Sequence, residues 1–202
     1  ILRLFRRHPN IRFEGVIHEQ IVYNIVKSNF KVLNSKIKIL HLGYDLSPEQ
    51  LRSKQLRNLE LLNRSLAIDP NNAYNLTHRA KTLNALGRNQ EAHGDYVKAL
   101  EVLPSDNKMR TRTLNSGASN AYKLARYDIA EQWALESYNL LEKQSLANYI
   151  LGEIYFNQKK FDLALKHYLL MREAQVGEKD FIAAVSGDYF VPLDHLAYKI
   201  GR

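Results

Sequence analysis

Not one of the 202 residues is cysteine. Disulfides and thiolate metal sites are therefore excluded, and a reducing, cytoplasmic setting is expected. No apolar run approaches the roughly 18 residues of a spanning helix, so no membrane crossing is expected. No secretory leader is recognisable either. Two N-x-[ST] sequons, at Asn63 and Asn75, fall in helical pattern and carry little meaning without such a leader. The chain has no D-x-D anywhere, and it opens on Ile1 rather than an initiator Met. A piece of a longer protein is the expectation.

What is present is ordinary in amount and uneven in placement. Hydrophobic residues make up 45% and charged residues 25%, as in a soluble globular protein of one extended or two small domains. The formal charge of +8 belongs to the first third. Residues 1–64 hold 12 Lys/Arg against 5 Asp/Glu, whereas residues 65–202 hold 17 against 16. Arg3, Arg6, Arg7 and Arg12 cluster within that basic third. Such a cluster attracts phosphates or stands as a solvated basic face. Nucleic acid is not the expected partner, because no aromatic–basic platform accompanies the charge.

Residues 1–46 read as strands. "ILRLF" alternates, and "IRFEGVIHEQIV" sets Arg12, Glu14, Val16 and His18 on one face against Ile11, Phe13 and Ile17. In "KVLNSKIKILHLGY", Leu33, Ile37, Ile39 and His41 share a face opposite Lys36 and Lys38. At "LSPEQL" the period changes: Ser47 is a strong N-cap, Pro48 suits the first helical position and Gln50 completes a capping box. Leu51, Leu59, Leu62 and Leu66 mark an apolar face up to Asp69-Pro70. The expected domains are a β-rich 1–46 and a helical 47–202.

The helical part repeats. "SLAIDP" (Ser65 to Pro70) and "ALEVLP" (Ala99 to Pro104) are 34 residues apart. "NQEAHGDYVKAL", "RYDIAEQWALES" and "KFDLALKHYLLM" superpose on Ala92, Ala130 and Ala164, at spacings of 38 and 34. This period is that of a helix–turn–helix solenoid, in which each unit buries its apolar face by stacking on its neighbours. The pattern resembles the tetratricopeptide repeat (TPR). Residues 73–106 carry Leu76, Ala80, Leu83, Gly87, Ala92, Tyr96, Ala99 and Pro104, and residues 145–174 carry Leu151, Gly152, Tyr155, Ala164 and Tyr168. The middle repeat, 111–143, has Ala118 and Ala121 where Gly and Tyr are usual. Its four extra residues are expected in a longer connection. "PLDHLAYKIGR" resembles the first helix of another repeat. The fold class expected is a mainly α, TPR-like superhelix behind a small β segment.

The first segment adds a second resemblance. "LRLFRRHPNIRFEGVIHEQ", then "KILHLGYD", then "RNLELLNRSLAIDP" are similar, in that order, to the end of the catalytic domain of bacterial family-2 glycosyltransferases with C-terminal TPRs. The resemblance implies a parent that transfers sugar from a nucleotide sugar, with Mn or Mg on the leaving diphosphate. It assigns His18 as a metal ligand in that parent, Glu19 to orienting the acceptor, and Arg3, Arg6 and Arg7 to the phosphates. The competing readings are a hydrogen-bonded sheet histidine at His18, a satisfied core histidine at His41 and a solvated edge at the arginines. With the nucleotide-binding half and its acidic motif absent, this stretch alone is expected to be non-catalytic and to bind no cofactor.

The competing function is a non-enzymatic TPR adaptor that takes a peptide in its concave groove. By position in the repeat the groove candidates are Tyr74, Thr77, Lys81, Asn84, Arg112, Asn115, Ser119 and Tyr122. Their polar, weakly basic mix suits an extended acidic or polar ligand. In the glycosyltransferase reading the same groove receives a protein or glycan acceptor, or joins copies into a homo-oligomer. Trp133 and the helix-borne Tyr and Leu residues are expected in inter-helix packing.

Overall fold

A computed structural model describes residues 5, 7–14, 21–31, 33, 46–106 and 108–178. The chain divides into two compact units, Ile1–Pro70 and Asn71–Arg202.

In the first unit, no strand runs through the described residues; Glu14 alone holds an isolated β-bridge. Where a β-rich segment was expected, Val22–Lys27 forms a short helix, α1. Ile21 and Ile25, four apart, bury together with Ile11, so a helical spacing is fixed by a contact ten residues upstream in place of the expected alternation. His18, Glu19, His41, Arg3, Arg6 and most of the other expected strand residues lie outside the described residues. Helix α2, Pro48–Ile68, starts as its sequence dictates. The Ser47 hydroxyl accepts from Gln50 N at 3.2 Å, and Gln50 Oε1 accepts from Ser47 N at 2.9 Å. Leu59, Leu62 and Leu66 are buried, but Leu51 is exposed. The apolar stripe therefore begins two turns later than its spacing implies.

The second unit is three helix pairs: α3 (Ala73–Ala85) with α4 (Asn89–Val102), α5 (Lys108–Lys123) with α6 (Tyr127–Leu140), and α7 (Ser145–Asn157) with α8 (Phe161–Glu178). Each pair turns on one left-handed residue, Gly87 (φ 79°), Ala125 (φ 57°) and Lys159 (φ 60°). The closing bonds are equivalent: Arg88 N to Leu83 O, Arg126 N to Ala121 O and Lys160 N to Tyr155 O, each 2.9 Å. Leu76, Ala80, Leu83, Ala92, Tyr96 and Ala99 are all buried, as expected of the first repeat. Each fully buried leucine contributes about 1.5–3 kcal/mol.

The four extra residues of the middle repeat sit mainly in a helix, not in a connection. Helix α5 has 16 residues against 13 in α7, and the link before it is one residue longer than the link before α7. The added turn places Arg110, whose Nη1 donates to Leu100 O (2.8 Å) and Leu103 O (2.7 Å) while its Nε donates to Glu136 (2.6 Å). A cation thus satisfies the carbonyls at the end of α4, where the helix dipole is negative.

The small–large pairing of the repeats also shifts. In the third repeat Tyr168 lies across Gly152; in the second, Trp133 lies across Gly117, one residue before the position where the repeat pattern puts its glycine. Both pairs are 16 residues apart, so the second repeat keeps the device and moves it by one place. Trp133 is inter-helix packing, as its position implied.

Candidate functional site

Helix α3 touches α5 and α5 touches α7, whereas no comparable contact joins α4 to α6 or α6 to α8 among the described residues. The first helices of the three pairs therefore crowd together, and the unit curves toward them. The eight groove candidates lie on this inner row, but they divide into two groups.

Three are committed to internal bonds. Thr77 is buried, donates to Ala73 O and faces Thr113 across the seam, hydroxyl to hydroxyl, at 3.0 Å. Asn84 donates to Tyr96 Oη at 3.2 Å and accepts from Asn120 Nδ2 at 2.8 Å. Asn115 donates to Gln144 Oε1 and accepts from Ser137 Oγ, both at 2.7 Å. Their side chains hold the repeats in register and cannot reach a ligand without breaking bonds.

The others keep contact with solvent. Lys81 and Ser119 are half-buried and Arg112 is exposed. Among the described residues neither Lys81 nor Arg112 forms an ion pair, in contrast to Arg79, Arg88 and Arg110 with Asp95, Glu91 and Glu136. Tyr74 is 41% exposed, with its ring 4.3 Å from that of His78. Burial raises its phenol pKa, and the Arg112 guanidinium nearby opposes that rise. Tyr122 Oη accepts from Asn157 Nδ2 at 3.3 Å. The open part of the row thus includes two cations, Lys81 and Arg112, and two tyrosines; Glu153, on α7, is buried and accepts from Tyr168 Oη at 2.7 Å.

Sequence reasoning missed the polar ladder behind this row. Asn120 Nδ2 donates to Asn84 and to Asn89 O, so its Oδ1 must accept from His93 Nδ1 at 3.2 Å. Asn148 Nδ2 donates to Glu142 O and Gln144 O, so its Oδ1 accepts from His167 Nδ1 at 2.8 Å. Both imidazoles therefore carry a proton on Nδ1. Burial lowers both pKa values, that of His167 to about 4, with the Lys166 charge adding to the effect. Asparagine in helix interiors, an unfavourable place for it, was the available signal.

In the first unit, Arg7 stands where one hollow of about 640 Å³ opens, lined also by His8, Pro9, Ile11 and Arg12. No group of three or more His, Asp or Glu among the described residues offers a metal site. No helix among them is long and apolar enough to cross a membrane.

Comparison with known proteins now has geometry to rest on. The solved MamA protein superposes with a TM-score of 0.59 at 18% identity, over 76% of this chain and 73% of that one. YrrB, described as a TPR protein with an unusual peptide-binding site, gives 0.53 at 20%, over 63% and 64%. The helical unit is a TPR-like solenoid. No family model matches the chain. Over 98 residues, 48% of its length, it is 34% identical to the SPbeta prophage-derived glycosyltransferase SunS of Bacillus subtilis (strain 168) and to glycosyltransferase SunS of Bacillus phage SPbeta. The chain spans about a fifth of the length of these curated relatives, 22% of each.

Proposed function

We propose that this chain is the C-terminal region of a cytoplasmic family-2 glycosyltransferase, in which residues 1–46 close the nucleotide-sugar domain and the repeats of 47–202 hold the acceptor. The observation that carries the reading is the conjunction of a glycosyltransferase relative at 34% identity with a TPR-like solenoid in the same chain. In the parent, a divalent Mn or Mg ion stabilises the charge developing on the leaving diphosphate. His18 is the residue of this chain assigned to it, with Glu19 near the acceptor and Arg3, Arg6 and Arg7 toward the phosphates. The remaining ligands belong to the upstream half. The test is turnover of a nucleotide sugar by the intact parent with and without Mn²⁺, set against the same assay on His18→Ala.

A second reading, a non-enzymatic adaptor, is favoured by one feature: among the described residues Lys81 and Arg112 form no ion pair, and they share the inner row with exposed Tyr74. That surface suits a protein segment carrying carboxylates, and the acceptor of the first reading meets the same requirement. Lys81→Glu combined with Arg112→Glu in the parent separates the two. An acceptor role raises the KM for acceptor and leaves donor hydrolysis alone, whereas an adaptor role alters a pull-down and neither kinetic constant. Self-association through the same row would show as a change in mass by light scattering.

A further inference from the structure

The inner row does not stop at α5. Counted from the shared alanines of the repeats, Leu146, Tyr149 and Phe156 of α7 stand where α5 has Arg112, Asn115 and Tyr122. Charged and hydrogen-bonding side chains thus give way to apolar ones along the row. The three residues of α7 share one stripe, because steps of three and seven return to the same side of a helix. All three are half-buried and pack on the core around Leu151 and Tyr168. The other side of α7 buries Ala147, Ile150 and Ile154. A helix apolar on both sides is normally covered on both. In α7 only one side is fully covered among the described residues.

The rings at this end of the row are held in place. Phe156 meets Phe161 edge to face with centroids 5.7 Å apart, and Tyr122 meets Tyr127 in the same way at 5.4 Å. The polar groups beside them are engaged inside the fold. Asn157 Nδ2 donates to Tyr122 Oη at 3.3 Å, and Asn115 Nδ2 donates to Gln144 Oε1 at 2.7 Å. Glu153, the charged residue of the stripe, is buried and accepts from Tyr168 Oη. What the third repeat offers a ligand is therefore aliphatic and aromatic surface. An apolar side chain matches it, whereas a sugar would need the hydrogen-bonding groups that the fold already uses.

We propose that Leu146, Tyr149 and Phe156 anchor a large apolar side chain of a protein segment whose carboxylates lie over Lys81 and Arg112. The proposal rests on the reading of the inner row as a groove for a carboxylate-bearing segment, and it holds whether or not the parent transfers sugar. Charge complementarity fixes the order: carboxylates over the first two repeats, the apolar anchor over the third. Packed helices lie about 8–10 Å apart, and an extended chain rises about 3.3 Å per residue. The step from α5 to α7 therefore spans about three residues of ligand, which sets the spacing between the carboxylate at Arg112 and the anchor.

The experiment titrates the full 202-residue chain into fluorescein-labelled Gly-Ser peptides, followed by anisotropy. One peptide carries a Glu pair and a Trp about three residues away, a second has Ser for the Trp, and a third has the Trp next to the Glu pair. Each is made in both chain directions. In one direction the spaced Trp peptide should bind about tenfold tighter than the Ser peptide, the effect of one well-placed aromatic anchor. Leu146→Ala and Tyr149→Ala should reduce that gain to less than about twofold and leave the Ser peptide unchanged, while Tyr149→Phe keeps it. Lys81→Glu with Arg112→Glu should weaken both peptides by the same factor. Thermal melts establish that each variant remains folded, and the comparison of peptides on the wild type needs no variant at all. Equal binding of the Trp and Ser peptides, with both still requiring Lys81 and Arg112, overturns the anchor and leaves the groove standing. A gain that is the same at both spacings, or that survives Leu146→Ala and Tyr149→Ala, also overturns the anchor. No binding of any peptide overturns the groove and the anchor together.

Discussion

Tyr168 lies so flat across Gly152 that a Cβ on the glycine would sit 2.5 Å from Cε1 of the ring. The tyrosine cannot retreat freely: its side chain is fully buried and its hydroxyl donates to the buried Glu153 carboxylate at 2.7 Å. Gly152→Ala is therefore expected to lower stability by about 1–3 kcal/mol, the usual range for an overpacked core. Denaturant unfolding measures it. An unchanged midpoint would mean that the α7–α8 pair can spread at no cost.

The three repeat turns make an opposite prediction. Ala125 and Lys159 adopt the left-handed conformation that Gly87 adopts without penalty. Relieving the side-chain strain outweighs the extra freedom glycine gives the unfolded chain. Ala125→Gly and Lys159→Gly should each raise stability by about 0.5–1 kcal/mol in the same denaturation assay. Gly87→Ala should lower it.

The buried imidazole of His167 gives a pH dependence with a definite sign. Its folded pKa lies at about 4, below the 6.5 of an unperturbed histidine, so the unfolded chain binds the proton first as pH falls. The stability this neutral histidine supports is complete above about pH 6.5 and is lost progressively between there and about pH 4. The full loss is of order 3 kcal/mol for a shift of this size. Comparing unfolding free energies of the wild type and His167→Gln at pH 7 and pH 5 isolates it. The wild type should lose more stability over that interval than the variant.

The architecture of the repeats was legible because small and large residues recur at fixed spacing. Ala92, Ala130 and Ala164 mark the same place in α4, α6 and α8, and the capping box at Ser47 and Gln50 fixes the start of α2. The groove was legible only in outline. Position in the repeat put Thr77, Asn84 and Asn115 on the inner row, but their partners Thr113, Asn120 and Gln144 lie 36, 36 and 29 residues away. No spacing rule announces such cross-repeat bonds. The helix at Val22–Lys27 was missed for a related reason: Ile21 and Ile25 gain their meaning from Ile11, which a local reading assigns to a strand.

Lys81 and Arg112 are the charged residues among the inner-row candidates that remain once internal bonds are subtracted. Reversing both charges, Lys81→Glu with Arg112→Glu, should leave the fold intact and weaken capture of a carboxylate-bearing protein segment by roughly tenfold, equivalent to about 1.4 kcal/mol. The matched change at exposed Lys159 and Lys160, in a repeat turn, should leave capture unaltered. Titration of a fluorescent acidic peptide reads both. Equal weakening in the two variants would assign the effect to net charge instead of the groove.

The central claim, that these residues close a metal-dependent sugar transferase, meets its most direct test in the intact parent. Nucleotide-sugar turnover is followed against Mn²⁺ concentration for the wild type and for His18→Ala. The account predicts turnover that requires the ion and a histidine variant that needs markedly more of it or turns over slowly. Metal-dependent affinity and turnover identical in the two proteins, or no turnover in either, would contradict it.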